Sequence, residues 1–238
     1  MDKFIIHGGK PLTGTMVPSG NKNAALPLMA ACLLTEEPII LHNMPKITDT
    51  QTMRRLMESL GVQVRQIDAS SYEFVAQDIH PSDLDPDLCQ QIRASILLAG
   101  PMLARSGELV LPPPGGDVIG RRRVDTHILA LNKLGALFSY NDCFHFSAPQ
   151  LKGAEILLDE ASVTATENTI MAAVKAEGRT IIRNAASEPH IQQLCQFLNL
   201  LGADIKTIGS NTLIIDGVKE SHGGEFTIGQ DYLDVISF

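Results

Sequence analysis

Apolar residues recur along this chain in two distinct patterns. Met53, Leu56, Met57 and Leu60 fall at i, i+3, i+4 and i+7, and Ile191, Leu194, Leu198 and Leu201 trace a similar stripe. Such a stripe predicts a helix with one face in the core. Residues 23–34, 91–104 and about 166–176 are instead apolar nearly all round, which predicts helices covered on every side. The third of these carries Thr164-Ala165-Thr166-Glu167 at its start, a capping-box pattern. Short β-rich runs at 38–43, 108–112 and 180–184 lie between the two helix types. Each striped helix ends at a glycine, Gly61, Gly135 or Gly202, the natural residue just past a helix C-terminus. Another strand follows each glycine, as at 203–208.

These elements repeat. Eighteen residues separate Asn43 from Gly61, and eighteen separate Asn184 from Gly202. In the middle copy, Leu111 to Gly135 spans 24 residues, against 20 for Leu41 to Gly61. That insertion falls on Pro112-Pro113-Pro114-Gly115-Gly116-Asp117, which runs on through Arg121-Arg122-Arg123 to His127. The pattern predicts a compact α/β domain of three similar units with buried helices inside. His127 falls in register with Met53 and Leu194, so it is expected to pack as a structural histidine.

Composition narrows the function. A net charge of −8 argues against a nucleic-acid partner. The arginine cluster is a local exception, better suited to a small anionic ligand. Glycine at this loop permits close approach of backbone N–H groups to a ligand. Taken alone, the loop also reads as a solvated connection. Cysteines 32, 89, 143 and 195 form no CxxC pair, and Cys32 and Cys195 read as buried free thiols of a reducing compartment. The N-terminus reads as no signal peptide, and the longest apolar stretch contains Pro27 and is too short for a bilayer. A soluble, cytoplasmic protein is expected, without a membrane partner. Residues 231–238 look like the opening of a fourth buried helix, so the chain reads as part of a longer protein.

Three motifs carry a resemblance. They are Ser19-Gly20-Asn21-Lys22-Asn23-Ala24-Ala25-Leu26-Pro27, then Arg93-Ala94-Ser95-Ile96 with Gly100-Pro101-Met102-Leu103-Ala104-Arg105, then the loop from Gly115 to His127. Together they resemble the UDP-N-acetylglucosamine enolpyruvyl transferase family, and the resemblance covers the whole chain. It implies an enolpyruvyl transferase-like inverse α/β barrel, with three βαβαββ repeats around buried helices. It also implies that residues 1–21 belong to a second domain, that 22–229 form the three-repeat domain, and that 230–238 begin the second domain again. This chain would cover a little more than half of a family member. The implied reaction moves the enolpyruvyl group of phosphoenolpyruvate onto the 3-hydroxyl of UDP-N-acetylglucosamine, the first committed step of peptidoglycan synthesis. The implied partners are those two small molecules and the missing C-terminal domain. No cofactor and no metal are implied.

The resemblance also assigns residues. Lys22 would bind the phosphate of phosphoenolpyruvate and Asn23 the substrate, although Asn23 also reads as a plain helix cap. Arg93 would contact substrate, although a charge at a buried helix start also reads as a structural ion pair. Asp117 stands where many members carry the cysteine alkylated by fosfomycin, and other members carry aspartate. It would donate a proton to the methylene carbon or assist product release. Arg122 would clamp phosphoenolpyruvate. Arg123 replaces a usual proline, and Arg121 reads as solvated. Arg122, Arg123, Val124, Asp125 and Thr126 would hold the nucleotide, with Asp125 also suited to a helix first turn. Ser162, Val163 and Thr164 match a further nucleotide contact, and Glu160 replaces a frequent lysine there. Two other readings stand beside this one. Enolpyruvylshikimate-phosphate synthase shares the fold but has a different lysine motif and lacks the Gly-Gly-Asp loop. An inactive fragment or nucleotide-sugar-binding module would use the same fold without catalysis.

Overall fold

The structure is a computed structural model of the 238-residue chain, and it describes residues 3–9, 11, 13–81, 84–116 and 123–237. In each unit the buried helix precedes the amphipathic one. The buried helices are α1 (Lys22–Ala31), extended by a 3₁₀ turn Cys32–Leu34; a 3₁₀ helix Arg93–Leu98 leading into α4 (Ala99–Ser106), preceded by the short α3 (Pro86–Gln91); and α6 (Val163–Ala173). The amphipathic helices α2 (Thr48–Ser59), α5 (Asp125–Lys133) and α7 (Pro189–Leu200) lie outside them. Every predicted stripe residue is buried. Burying one such leucine or methionine stabilises the fold by about 1.5–3 kcal/mol.

Among the described residues the strands form three sheets. In the third unit β7 (Glu155–Leu157) pairs in parallel with β8 (Arg179–Arg183), followed by β10 (Thr212–Asp216) and β9 (Asp204–Lys206). The chain order β7-α6-β8-α7-β9-β10 is the βαβαββ unit. The first unit has the same sheet, but its leading strand is supplied from the far end of the sequence. There β11 (Gly224–Thr227) pairs in parallel with β1 (Ile39–His42), beside β3 (Tyr72–Val75) and β2 (Gln63–Gln66). Backbone contacts from Asn21 N–H to the Gly229 carbonyl and from Asp231 N–H to the Ser19 carbonyl draw the two crossing segments together. The middle sheet holds β4 (Glu108–Leu111), β6 (Cys143–Ser147) and β5 (Leu137–Asn141), without a leading parallel strand among the described residues.

The repeat extends to backbone detail. Asn43 and Asn184 both have φ of 57°, and Gly61, Gly135 and Gly202 have φ between 95° and 99°. Asn43 Nδ2 donates to the Ile228 carbonyl at 2.9 Å, and Asn184 Nδ2 donates to the Leu158 carbonyl at 3.0 Å. Both carbonyls lie just past the leading parallel strand, so each asparagine ties the end of its β strand to its neighbour.

Several expectations need correcting. The cap of α1 is Asn21, whose side chain accepts from Ala24 N–H at 3.0 Å, so Asn23 lies inside the first turn. The cap of α6 is Ser162, whose hydroxyl accepts from Ala165 N–H, so Thr164 to Glu167 is no capping box. The middle buried helix is not continuous over 91–104. Pro101 has no N–H to give Leu97 and its ring would crowd that carbonyl, so 3₁₀ geometry runs to Leu98 and α4 restarts with Pro101 in its first turn. At the end of the chain α8 (Tyr232–Ser237) does form, but none of its described residues is buried. Its anchoring comes from its first turn, where Tyr232 stacks on His190.

The asparagine ties can be measured. Asn184→Ala loses the hydrogen bond and places a Cβ-bearing residue without a local partner in the left-handed region, so it should destabilise by about 2 kcal/mol. Asn184→Gly relieves the strain and should lose only about 1 kcal/mol. Urea unfolding of the two variants checks this order, and the Asn43 pair should follow it.

Candidate active site

The three buried helices begin at one end of the domain and open onto a cavity of about 330 Å³. Each contributes the same helical positions. The first helical residues are Lys22, Arg93 and Val163, the second are Asn23, Ala94 and Thr164, and one turn deeper lie Leu26, Leu97 and Glu167. Helix starts leave N–H groups unpaired and carry partial positive charge. Side-chain caps serve α1 and α6, but Ile92 gives the 3₁₀ helix none. A cation at such a helix start is electrostatically unfavourable, yet Lys22 and Arg93 are both there.

Lys22 pairs with Asp49 at 3.0 Å, and both are substantially exposed. That ion pair is worth little on its own in water. Arg93 is half-buried, and its Nη2 donates to the Arg123 carbonyl at 3.3 Å. Arg123 in turn bonds Asp125 at 3.0 Å and Asp159 at 2.7 Å. Thr126 also donates to Asp159, at 2.7 Å. Hydrogen bonds from Thr126 and Arg123 hold the Asp159 carboxyl below its usual range. Arg123 therefore pins the entry to α5 against the segment after β7. Asp117, Arg121 and Arg122 lie outside the described residues.

The glycines before Asp117 do not present their N–H groups to a ligand. Gly115 N–H donates to the Cys89 carbonyl and Gly116 N–H to the Gln90 carbonyl, both at 3.3 Å. A Cβ on Gly115 would lie 1.6 Å from the Gln90 oxygen, so the glycine is needed for the chain to lie flat against α3. The close approach is to the protein's own backbone.

His127 is 1% exposed, as its register predicts. Asn168 fixes its tautomer. The Asn168 amide oxygen accepts from Gly100 N–H at 2.7 Å, so its Nδ2 donates, to the Ile96 carbonyl and to His127 Nδ1. Nε2 of His127 must then carry the proton and donate to Thr164 Oγ1 at 3.0 Å. Burial, and the nearby Arg93 charge, pull the imidazole down to about 3. It is neutral at pH 7, and it orients Thr164 on the cavity wall. Sequence reasoning missed Asp49, Asp159 and Glu167, the last because the capping-box pattern absorbed it. Val163 and Thr164 line the cavity, and Ser162 caps the helix they begin without lining it. Val124, Asp125 and Thr126 are at the start of α5 and are not among its lining residues.

Among the described residues no group of three His, Cys, Asp or Glu side chains could hold a metal, and no helix is long and apolar enough to cross a membrane.

This three-unit α/β domain has the enolpyruvyl transferase fold. The enolpyruvyl transferase NikO from Streptomyces tendae shares this fold, with a TM-score of 0.84 at 22% identity over 98% of this chain and 55% of that one. Residues 6–238 match the EPSP synthase (3-phosphoshikimate 1-carboxyvinyltransferase) family, and the chain belongs to it. It is also 56% identical over 238 residues to a UDP-N-acetylglucosamine 1-carboxyvinyltransferase of Treponema denticola. It is 54% identical over 235 residues to the protein of that name in Bradyrhizobium diazoefficiens. The chain spans about half the length of these relatives, 56% and 54% respectively.

The histidine network gives a pH signature. His127 takes up its proton near 6.5 when unfolded but near 3 when folded. The unfolded state therefore binds the extra proton between those values, and stability falls as pH drops through that window. The slope of unfolding free energy against pH between 6 and 4 should be shallower in His127→Gln by up to about one proton. Urea unfolding across that range measures it.

Proposed function

We propose that the protein to which this chain belongs transfers the enolpyruvyl group of phosphoenolpyruvate to the 3-hydroxyl of UDP-N-acetylglucosamine, releasing phosphate. It would act in the cytoplasm, at the committed step of peptidoglycan synthesis. The observation that carries this reading is the placement of Lys22 and Arg93 at two of three converging helix starts. Like charges gathered there are favourable once an anion is bound between them. The identity to relatives of that name favours the nucleotide sugar over shikimate phosphate as acceptor.

The chemistry requires an electrophilic C2 in phosphoenolpyruvate. A proton delivered to the methylene carbon creates it, the sugar oxygen adds to C2, and the hydroxyl proton leaves. Loss of phosphate and of one methyl proton then regenerates the double bond. Lys22 would hold the phosphate, joined by Arg122, and Arg93 and Asn23 the remaining substrate oxygens. Asp117 would supply the proton or assist release. Ser162, Val163 and Thr164, with Arg123, Val124, Asp125 and Thr126, would seat the nucleotide. The site would be completed by a second domain closing over this cavity, which excludes water.

Phosphate release measured with both substrates tests the reading. The full-length protein should turn over, and Lys22→Ala should lower kcat/KM by about a hundredfold or more. Residues 1–238 alone should bind the nucleotide sugar weakly and release no phosphate. Turnover by that fragment, abolished by Lys22→Ala, would refute the need for a second domain. Intact mass after fosfomycin should show no adduct on the wild type, because a carboxylate is a far poorer nucleophile than a thiolate, and should show one on Asp117→Cys.

A further inference from the structure

The cavity floor breaks the threefold pattern at one position. The fifth residue of each buried helix points there, and it is Leu26 in α1, Leu97 in the 3₁₀ helix and Glu167 in α6. Glu167 is 1% exposed, and its Oε1 has no hydrogen-bond partner among the described residues. A buried carboxyl oxygen without a partner is unfavourable, and leucine is accommodated at both sister positions. Packing therefore gives no reason for glutamate here. An orphaned polar atom on a cavity wall is explained when a ligand supplies its partner.

The cavity is also asymmetric in charge. Lys22 and Arg93 stand on the side of α1 and the 3₁₀ helix, whereas α6 contributes Val163, Thr164 and Glu167. Burial, with the Glu188 charge nearby, raises Glu167 well above the ordinary carboxyl range. That shift favours the protonated form, which offers one donor and one acceptor and so matches a hydroxyl or amide group and not a phosphate. The other titratable groups around the cavity are Lys22 and Asp49, already paired, and Arg93, with neutral His127 behind Thr164.

Resting on the proposed nucleotide-sugar reading, we infer that Glu167 is a substrate-contacting residue that hydrogen-bonds an uncharged hydroxyl or amide of the sugar and so helps select the acceptor. The anionic phosphoenolpyruvate falls to the cationic side.

The test uses the full-length protein and two variants. Glu167→Leu installs the sister residue and removes the orphaned group, so its thermal midpoint should equal or exceed that of the wild type. Its Kd for UDP-N-acetylglucosamine, by calorimetry, should rise about tenfold. The KM for phosphoenolpyruvate should stay within about threefold, because that contact is not touched. Glu167→Gln keeps a donor and an acceptor at the same place and should hold both constants within about threefold of wild type. Should Glu167→Leu not fold, Glu167→Met serves in its place. Wild-type affinity for the nucleotide sugar in the apolar variant would overturn the inference, as would an equal loss in Glu167→Gln. A wild-type protein that binds no UDP-N-acetylglucosamine would instead sink the functional reading on which this rests.

Discussion

Three helices that are apolar on nearly every side must be covered on every side, and the rest of the structure follows from that requirement. One amphipathic helix and one small sheet cover each of them, so the unit is repeated three times around a shared core. Because the helices run the same way, their starts gather at one end. Unpaired N–H groups and partial positive charge are concentrated there by the same packing that builds the core. The proposed anion site would thus be a consequence of how the core is closed. Polar and charged residues then tune it: Lys22 and Arg93 add charge, and Asn21 and Ser162 cap the helix starts beside it.

Function is legible in this fold as departures from its own repeat. Where two helices carry a cation at the first position, the third carries Val163. Where two carry leucine at the fifth, the third carries Glu167. Where two units turn through a left-handed asparagine after the strand, the middle unit inserts the Pro-Gly-Gly-Asp loop. Its glycines lie flat on the backbone of Cys89 and Gln90, so the described start of the loop is fixed to the wall of the cavity. At the other end Arg123 fixes it again through Asp125 and Asp159.

Much of this could be read from the amino acids. The stripes on α2 and α7, the glycines that end them and the all-round apolar helices are local signals, and all formed as expected except the middle apolar helix, which is broken. The burial of His127 followed from register alone. Part of what could not be read depends on contacts distant in sequence, and part on two local signals that compete. No local pattern says that β11 supplies the leading strand of the first sheet, because that pairing joins residues 39–42 to 224–227. The break in the middle helix turns on Pro101, whose effect falls on a carbonyl four residues earlier. Glu167 was hidden because Thr164 to Glu167 satisfies a capping rule in one dimension, while Ser162 takes the cap in three. One of the two carboxylate partners of Arg123, Asp159, comes from the segment beyond β7, 36 residues away.

The central claim is that ligand binding takes place where the three buried helices begin. The most direct measurement is a crystal structure of the full-length protein with UDP-N-acetylglucosamine and phosphate. The account predicts the phosphate within hydrogen-bonding distance of Lys22 and the start of α1, with the nucleotide sugar along Ser162 to Thr164. Ligand found instead at the opposite end, in the polar groove of Arg105, Lys175 and Lys219, with the helix starts empty, would contradict it.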